Sequence, residues 1–411
     1  MTRIGFFPFV GTGHLNPAIA LGRRLSARGY EIVFFHLPSA RAAIRAAGLG
    51  FCPLTDDDLA PKSYDPRGLV TLLEAVRLNV QRVLRGIPNI IKEGRIDAAV
   101  VDQYDLAGGT VADILGVPSA TIAVVPPFYL SDEVYPPFFR GSPITPGAGR
   151  NRRCNVTLSK KIAPICDELN KQRRVWGLPQ IGNVNELWSK LAFISQLPKS
   201  FDFPHSAPTI PLFYSGPFSD EWGRYRIDFP WNRINGKPLV YASMGTIRND
   251  SEGVFQLMVQ TCSEFNVQLV LSLGGGGILP EQFDAISGDA IIVHYAPQLE
   301  LLRRACLTIT HAGINTTLES LAEGVPLVAV PVTDDQPGVA ARIEWTKTGL
   351  AVPYRRLSKS RLQTAIDAVL GGLEYKAAAV RLQEEIRQSK GVELAADIIE
   401  QNVLRMCSRP H

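Results

Sequence analysis

Residues 295–336 read YAPQLELLRRACLTITHAGINTTLESLAEGVPLVAVPVTDDQ, and the stretch from Leu307 to Val330 within them decides the fold. An apolar segment of strand character, Leu307 to Thr310, meets the polar break His311-Ala312-Gly313, and a helical pattern starts near Asn315. A second apolar segment, Val325 to Val330, follows and leads to Asp335-Gln336 beyond its carboxyl end. Strand, glycine turn, helix and strand in that order form the unit of a parallel α/β sheet. The turn at Gly313 leaves backbone N–H groups unpaired at the helix start, and with the positive end of the helix dipole they make an anion site. Asn315 and Thr316 stand where their side chains add donors to a diphosphate. Glu319 lies four residues from the first and three from the second, so it shares their face one turn deeper, a distance suited to vicinal ribose hydroxyls. Asp335 and Gln336 fall at a strand end, where ligands of open α/β sheets lie, and their oxygens and amide suit sugar hydroxyls. A purely structural reading competes: Thr316-x-x-Glu319 is also a capping box and Asn315 an ordinary N-cap.

Outward from this run, the α/β pattern repeats. Strand-like runs at Arg3–Val10, Glu31–Phe35, Phe51–Leu54, Ala98–Asp102 and Ala120–Val124 alternate with helical segments. A second alternation runs through Leu239–Ser243, Gln268–Leu273, Ala290–His294, Leu307–Thr310 and Val325–Val330. Two tandem Rossmann-like, doubly wound domains facing a cleft follow. The segment between them, Pro217 to Pro238, is rich in Pro, Gly, Asp, Trp and Arg without periodicity and reads as a linker. The expected division is therefore residues 1–216, a linker at 217–238, a second domain at 239–390 and a terminal helical segment at 391–411. Tyr375 to Met406 holds strong helix formers and no strand pattern.

The first strand runs into Gly11-Thr12-Gly13-His14-Leu15-Asn16-Pro17, where Asn16 reads as a helix cap and Pro17 as a first-turn residue. Asp102 ends the fourth strand. In the strand order 3-2-1-4-5, strands one and four are neighbours at the topological switch point, which brings His14 and Asp102 together. A neutral imidazole beside a carboxylate can take a proton from a hydroxyl. Taken singly, each residue has an equally good local role, the His in its own loop and the Asp as a helix cap. Gly11 and Gly13 begin a dinucleotide fingerprint, but Asn16 occupies the place of its third glycine. Gly274 to Gly277 reads as a strand-to-helix turn. Ser243-Met244-Gly245-Thr246 is a better phosphate-side loop, with Ser243 and Thr246 as its polar members.

Composition bounds the rest. The chain has 411 residues, 45% of them hydrophobic and 20% charged, as in a globular protein with ample core. A net charge of +4 without basic blocks argues against a nucleic-acid partner and suits an anionic ligand. Cys52, Cys154, Cys166, Cys262, Cys306 and Cys407 show no metal-ligand or paired spacing, which points to reduced thiols in the cytoplasm. No segment has the length and apolarity of a membrane span, and the start does not read as a signal peptide. Asp56-Asp57-Asp58 invites a metal reading, but its place after the third strand reads as a solvated loop. The irregular segments Asp56–Gly68 and Pro126–Arg152 include Pro126-Pro127-Phe128-Tyr129-Leu130 and Tyr135-Pro136-Pro137-Phe138-Phe139. These aromatics suggest an apolar pocket, with Phe128, Tyr129 and Phe138 as contacts, or a groove next to a membrane surface; a packed hydrophobic loop is the alternative.

The joint order of Ala296-Pro297-Gln298, His311-x-Gly313-x-Asn315-Thr316-x-x-Glu319, Gly324-Val325-Pro326 and Asp335-Gln336 resembles the signature of the UDP-sugar glycosyltransferases of GT-B fold. The resemblance implies that His311, Asn315 and Thr316 contact diphosphate, Glu319 the ribose, and Asp335 and Gln336 the sugar. It sets Gln298 and the backbone near Ala296 against the nucleoside, with Tyr295 under the base. The plant members have Trp at the positions of Tyr295 and Ile314. GTGHLNP resembles the family's catalytic-histidine segment and VVDQ its partner-aspartate segment, so His14 is expected to act as general base and Asp102 as its partner. The family works without an obligatory metal or cofactor, and its last helix crosses back onto the first domain. The segments VVDQYDLAGGTVADILGVPSATIA, from Val100, and FISQLPKSFDFP, from Phe193, are most similar to bacterial zeaxanthin glucosyltransferases. The implied activity is inverting transfer of glucose from UDP-glucose to a hydroxyl of a lipophilic acceptor, a carotenoid or other natural product such as a macrolide or flavonoid. A nucleotide-sugar epimerase, a dinucleotide oxidoreductase and a non-catalytic binding protein are the rival classes.

Overall fold

The structure, a computed structural model, describes all residues except 56–68, 132–135, 139–147, 205–209, 220–226, 246–251, 276 and 408–411, and omits the side chains of 69–71, 148 and 150. Asp56–Asp58, Tyr135, Phe139 and Thr246 thus lie outside the described residues.

Among the described residues, β1 (Arg3–Phe7), β2 (Glu31–His36), β3 (Gly50–Pro53), β4 (Ala98–Asp102), β5 (Ser119–Ala123), β6 (Phe193–Ser195) and β7 (Leu212–Tyr214) form one parallel sheet. Its order is β3-β2-β1-β4-β5-β6-β7. A second parallel sheet holds β8 (Leu239–Ser243), β9 (Gln268–Ser272), β10 (Ile291–Val293), β11 (Ala305–Thr310), β12 (Leu327–Ala329) and β13 (Gly349–Ala351), in the order β10-β9-β8-β11-β12-β13. Strands such as β4 and β8 are buried along their whole length. Helices cover both faces of such sheets, so the strands read as continuous apolar runs rather than alternating ones.

The helices on the first sheet are α1 (Thr12–Ala27), α2 (Arg41–Ala46), α3 (Leu69–Glu93), α4 (Gly108–Leu115) and α5 (Ala148–Val175). With the second come α6 (Glu252–Cys262), α7 (Gln298–Leu302), α8 (Ile314–Ala322), α9 (Gln336–Trp345), α10 (Lys359–Gly371) and α11 (Leu373–Gln388). α12 (Val392–Ile399) returns to the first sheet. Its Ala395, Ala396, Ile398 and Ile399, with Val403 and Leu404 beyond, share a core with Ile4, Phe6 and Leu25. Arg28, just past α1, bonds Asp397 at 2.7 Å and Glu400 at 2.8 Å, which fixes the crossing.

Strand order reverses once in each sheet, between β1 and β4 and between β8 and β11. At such a point the flanking loops part to opposite faces and leave a crevice at the carboxyl ends of the strands. Three strands escape sequence reading, β6, β7 and β13, each of three residues. The first helix also starts earlier than expected: Gly11, at φ 112°, turns the chain and its carbonyl accepts the N–H groups of His14 and Leu15. Asn16 is therefore not its cap, and Pro17 lies inside the helix. All six cysteines are free thiols.

Candidate active site

The turn from β11 to α8 has Ala312 in the left-handed region at φ 67°, an uncommon conformation for a residue with a Cβ and one found where function requires it. Gly313 is the N-cap of α8, with no side chain bonded over the helix end. Asn315 and Thr316 are thus the second and third helical residues, and Glu319 Oε2 accepts from Gln298. The capping-box alternative does not hold, and the first N–H groups face the crevice uncapped.

His311 sits between two glycines. A Cβ on Gly245 would come within 2.7 Å of its ring, and one on Gly313 within 2.6 Å. Gly245 also has φ +80°, so the loop after β8 needs glycine twice over. Burial pushes the His311 pKa down to about 4, against a hydrogen bond to the Ser243 backbone. The imidazole at the helix end is therefore neutral near pH 7. Ser243, nearly buried, accepts the Gly245 N–H with its hydroxyl at 3.2 Å and shapes the same loop.

Gln298, at the start of α7, organises the deeper part of the crevice. Its amide donates to Glu319 Oε2 at 2.6 Å and Thr316 Oγ1 at 3.4 Å, while its oxygen accepts the Tyr241 hydroxyl at 2.9 Å. Burial pushes the Tyr241 phenol pKa up, so it serves as a donor. Tyr295 is 52% exposed, and its hydroxyl lies against Gly275, where a Cβ would fall 2.2 Å away. Ala296 is buried just behind Tyr295.

On the opposite wall, His14 Nδ1 lies 2.8 Å from Asp102 Oδ2, and the other carboxylate oxygen accepts the Tyr104 N–H at 2.8 Å. Asp102 is fully buried. An ionised carboxylate only accepts, so Nδ1 carries the proton and Nε2 is left as a base. Burial pulls the His14 pKa down, but the charge and hydrogen bond of Asp102, joined by the charge of Asp335, hold it above the ordinary imidazole value. A second buried acid, Asp105, is pushed up to about 8 by burial, despite N–H groups from Ala107 and Gly108. Neutral near pH 7, it does not compete for His14. Phe9 and Tyr104 flank the imidazole, each with its ring centroid 5.2 Å away.

The two walls meet. Pro17 has no N–H to give the carbonyl four residues back, that of Gly13. That carbonyl accepts Asn315 Nδ2 at 3.0 Å from the other domain, and Asn315 Oδ1 accepts Gln196 Nε2 at 3.1 Å. Asn315, expected on phosphate, thus has its amide oxygen and one of its two amide N–H groups engaged across the crevice. The charge of Asp335 raises the proton affinity of His14, and the charge of His14 lowers that of Asp335. Burial, with the charge of Asp334, pushes Asp335 up to about 6. Gln336 is buried, and its side-chain oxygen accepts the N–H groups of Val332 at 2.8 Å and Thr333 at 3.0 Å, which leaves its NH2 to point elsewhere. Beside Tyr104, an apolar recess is lined by Leu72, Val76, Leu106, Phe128, Phe138 and Ile162. Tyr129, by contrast, is buried near Tyr214, outside the residues lining that recess.

An uncapped helix end with a buried imidazole on one wall suits an anionic group, and the imidazole–carboxylate pair on the other can accept a proton. Residues 220–395 match the sequence model of the family described as UDP-glucoronosyl and UDP-glucosyl transferase. The second domain belongs to the UDP-glycosyltransferase family. Over nearly its full length the chain is 28% identical to the zeaxanthin glucosyltransferase of Pantoea ananas, across 94% of this chain and 93% of that protein. In three dimensions it is similar to CalG4, the calicheamicin glycosyltransferase, with a TM-score of 0.76 at 20% identity over 99% of both chains. The glycosyltransferase VinC in complex with DTDP gives a TM-score of 0.71 at 18% identity, covering 98% of this chain and all of that one. The GT-B architecture is thereby shown for the whole chain.

Sequence reading missed several residues of the crevice. Tyr104 stands two places after Asp102, and that proximity was the available signal. Tyr241 and Gly245 flank Ser243, which drew notice by itself. Gln196 had no local signal, because its partner is 119 positions away.

Proposed function

We propose that the protein is an inverting glucosyltransferase that moves glucose from UDP-glucose to a hydroxyl of a lipophilic small molecule, with a carotenoid or other natural product as acceptor. The observation that carries this reading is the His14–Asp102 pair at 2.8 Å, to which Asp335 of the second domain is coupled by charge. The donor's diphosphate lies on the N-terminus of α8 with His311 and Thr316, and its ribose on Glu319, held by Gln298. Tyr295 receives the base, and Asp335 with the Gln336 NH2 receives the sugar. The acceptor enters beside Tyr104, where Phe128 and Phe138 line an apolar recess. The similarity to a zeaxanthin glucosyltransferase supports a long apolar acceptor.

In the transfer step, His14 Nε2 takes the proton of the acceptor hydroxyl as its oxygen bonds to the anomeric carbon. The bond from that carbon to the diphosphate breaks on the opposite face, and UDP leaves with the electron pair. A single displacement turns an α-linked donor into a β-glycoside. The helix dipole and its free N–H groups stabilise the departing charge, so the reading requires no metal. The test is product mass after incubation with UDP-glucose, with and without a panel of lipophilic alcohols. Glycoside appearing only with alcohol, and lost in His14→Ala with donor saturating, is expected. Acceptor-free conversion of the donor to an isomer of unchanged mass, resolved by chromatography, would instead establish an epimerase.

A further inference from the structure

The segment FISQLPKSFDFP, from Phe193, stood out in the sequence without a chemical role. In the structure it is the seat of the second domain. Gln196 bonds Asn315 of α8 at 3.1 Å, and the Ser200 N–H bonds Glu385 of α11 at 3.2 Å. Asp202 makes the most enclosed contact. Its Oδ1 accepts Arg342 Nη2 at 2.6 Å and Nε at 2.9 Å, and its Oδ2 accepts the Tyr214 hydroxyl at 2.7 Å. The side chains of Arg342 and Asp202 are 1% and 4% exposed. The guanidinium also lies 4.4 Å over the Phe203 ring and donates to the Gly338 carbonyl at 3.0 Å.

Arg342 stands on α9, whose first residue is Gln336 and whose N-cap is Asp335. Gly338, in the first turn of that helix, abuts Pro137 so closely that a Cβ there would fall 2.5 Å from its carbonyl oxygen. A planar fork gripping a carboxylate, stacked on an aromatic ring, sets both the position and the rotation of the helix that carries it. We propose that Asp202 is a positioning residue for sugar transfer: through Arg342 it fixes α9 against the first domain, and with it Asp335 and Gln336 at the start of that helix. A buried pair of this kind adds little stability over an apolar replacement, so its use lies in geometry. Displacing a reacting group by about 1 Å costs on the order of a hundredfold in rate.

The proposal rests on the reading of His14 as base, and two readouts separate the two. In Asp202→Asn, and in the doubly substituted Asp202→Asn/Arg342→Met, which leaves no unpaired buried charge, kcat is expected to fall about ten- to hundredfold. UDP binding by calorimetry is expected to stay within about threefold, because Asp202 lies in the other domain. Arg342→Lys, which keeps the charge but not the fork, is expected to lose kcat likewise. Independently of turnover, the His14 imidazole titration, followed by NMR and assigned with His14→Ala, is expected to move to lower pH as Asp335 retreats. Full kcat in the double variant with an unmoved His14 titration would overturn the proposal. So would losses of kcat, UDP affinity and melting temperature in proportion, which mark a role in folding alone. If the parent protein transfers no sugar but its His14 titration still responds to Asp202→Asn, the reading of function fails while the positioning of Asp335 stands.

Discussion

Asp102→Asn tests the chemistry with the smallest change of shape. Asp102 Oδ1 accepts the Tyr104 N–H at 2.8 Å, and an amide oxygen can keep that bond. The amide nitrogen then faces His14 Nδ1, where Asp102 Oδ2 now lies 2.8 Å away. An NH2 donates, so Nδ1 must accept and the imidazole proton moves to Nε2. The nitrogen turned toward the acceptor can no longer take a proton. The loss is the whole general-base contribution, about a hundredfold to ten-thousandfold, or about 3–5 kcal/mol of transition-state stabilisation. The assay is steady-state transfer at saturating UDP-glucose from pH 6 to 9, with UDP binding measured in parallel. Binding is expected to be unchanged, since the side chain of Asp102 bonds His14 and Tyr104 on the other wall of the crevice. Turnover within about threefold of the parent would refute the role assigned to the pair.

Three further outcomes follow from the same geometry. His14 must be neutral to act, so activity rises with pH through its raised pKa; Asp335→Asn removes a charge that favours the protonated ring and is expected to move this acid limb to lower pH. A limb that stays in place or moves up would show that the two groups do not face each other. His311 is held near 4 by burial, and a diphosphate beside it raises that value, so UDP binding near pH 6 is expected to take up part of a proton. Calorimetry in buffers of different ionisation enthalpy reads this uptake, which His311→Gln should reduce. Deleting residues 391–411 exposes the face that covers α1: Ile398, Ile399, Val403 and Leu404 are buried there, at about 1.5–3 kcal/mol each. The sum, about 6–12 kcal/mol as an upper figure, equals the whole stability of an ordinary domain. The first domain is expected to lose its melting transition, and a truncated protein melting as the parent does would contradict the packing.

Much of the site was legible because its residues stand next to features with a local signature. Asp102 closes a run of buried apolar residues, His14 follows a glycine turn, and His311 to Glu319 span one turn and one helix. Where the local rules failed, the helix had begun earlier than the cap residues implied. Asn16 looked like a cap, but Gly11 turned the chain first. Thr316 and Glu319 looked like a capping box, but the helix begins earlier, with Gly313 as its N-cap.

By itself, the sequence determined the two parallel α/β domains and the strand ends where the site lies. Hydrophobic period, glycine turns and helix starts are properties of a few consecutive residues. Only the tertiary structure decided what joins the two halves. Asn315 reaches Gly13 across 302 positions because Pro17 leaves that carbonyl without a donor, and Arg342 reaches Asp202 across 140. Each of these contacts depends on how two sheets pack, and no short window of sequence contains both partners.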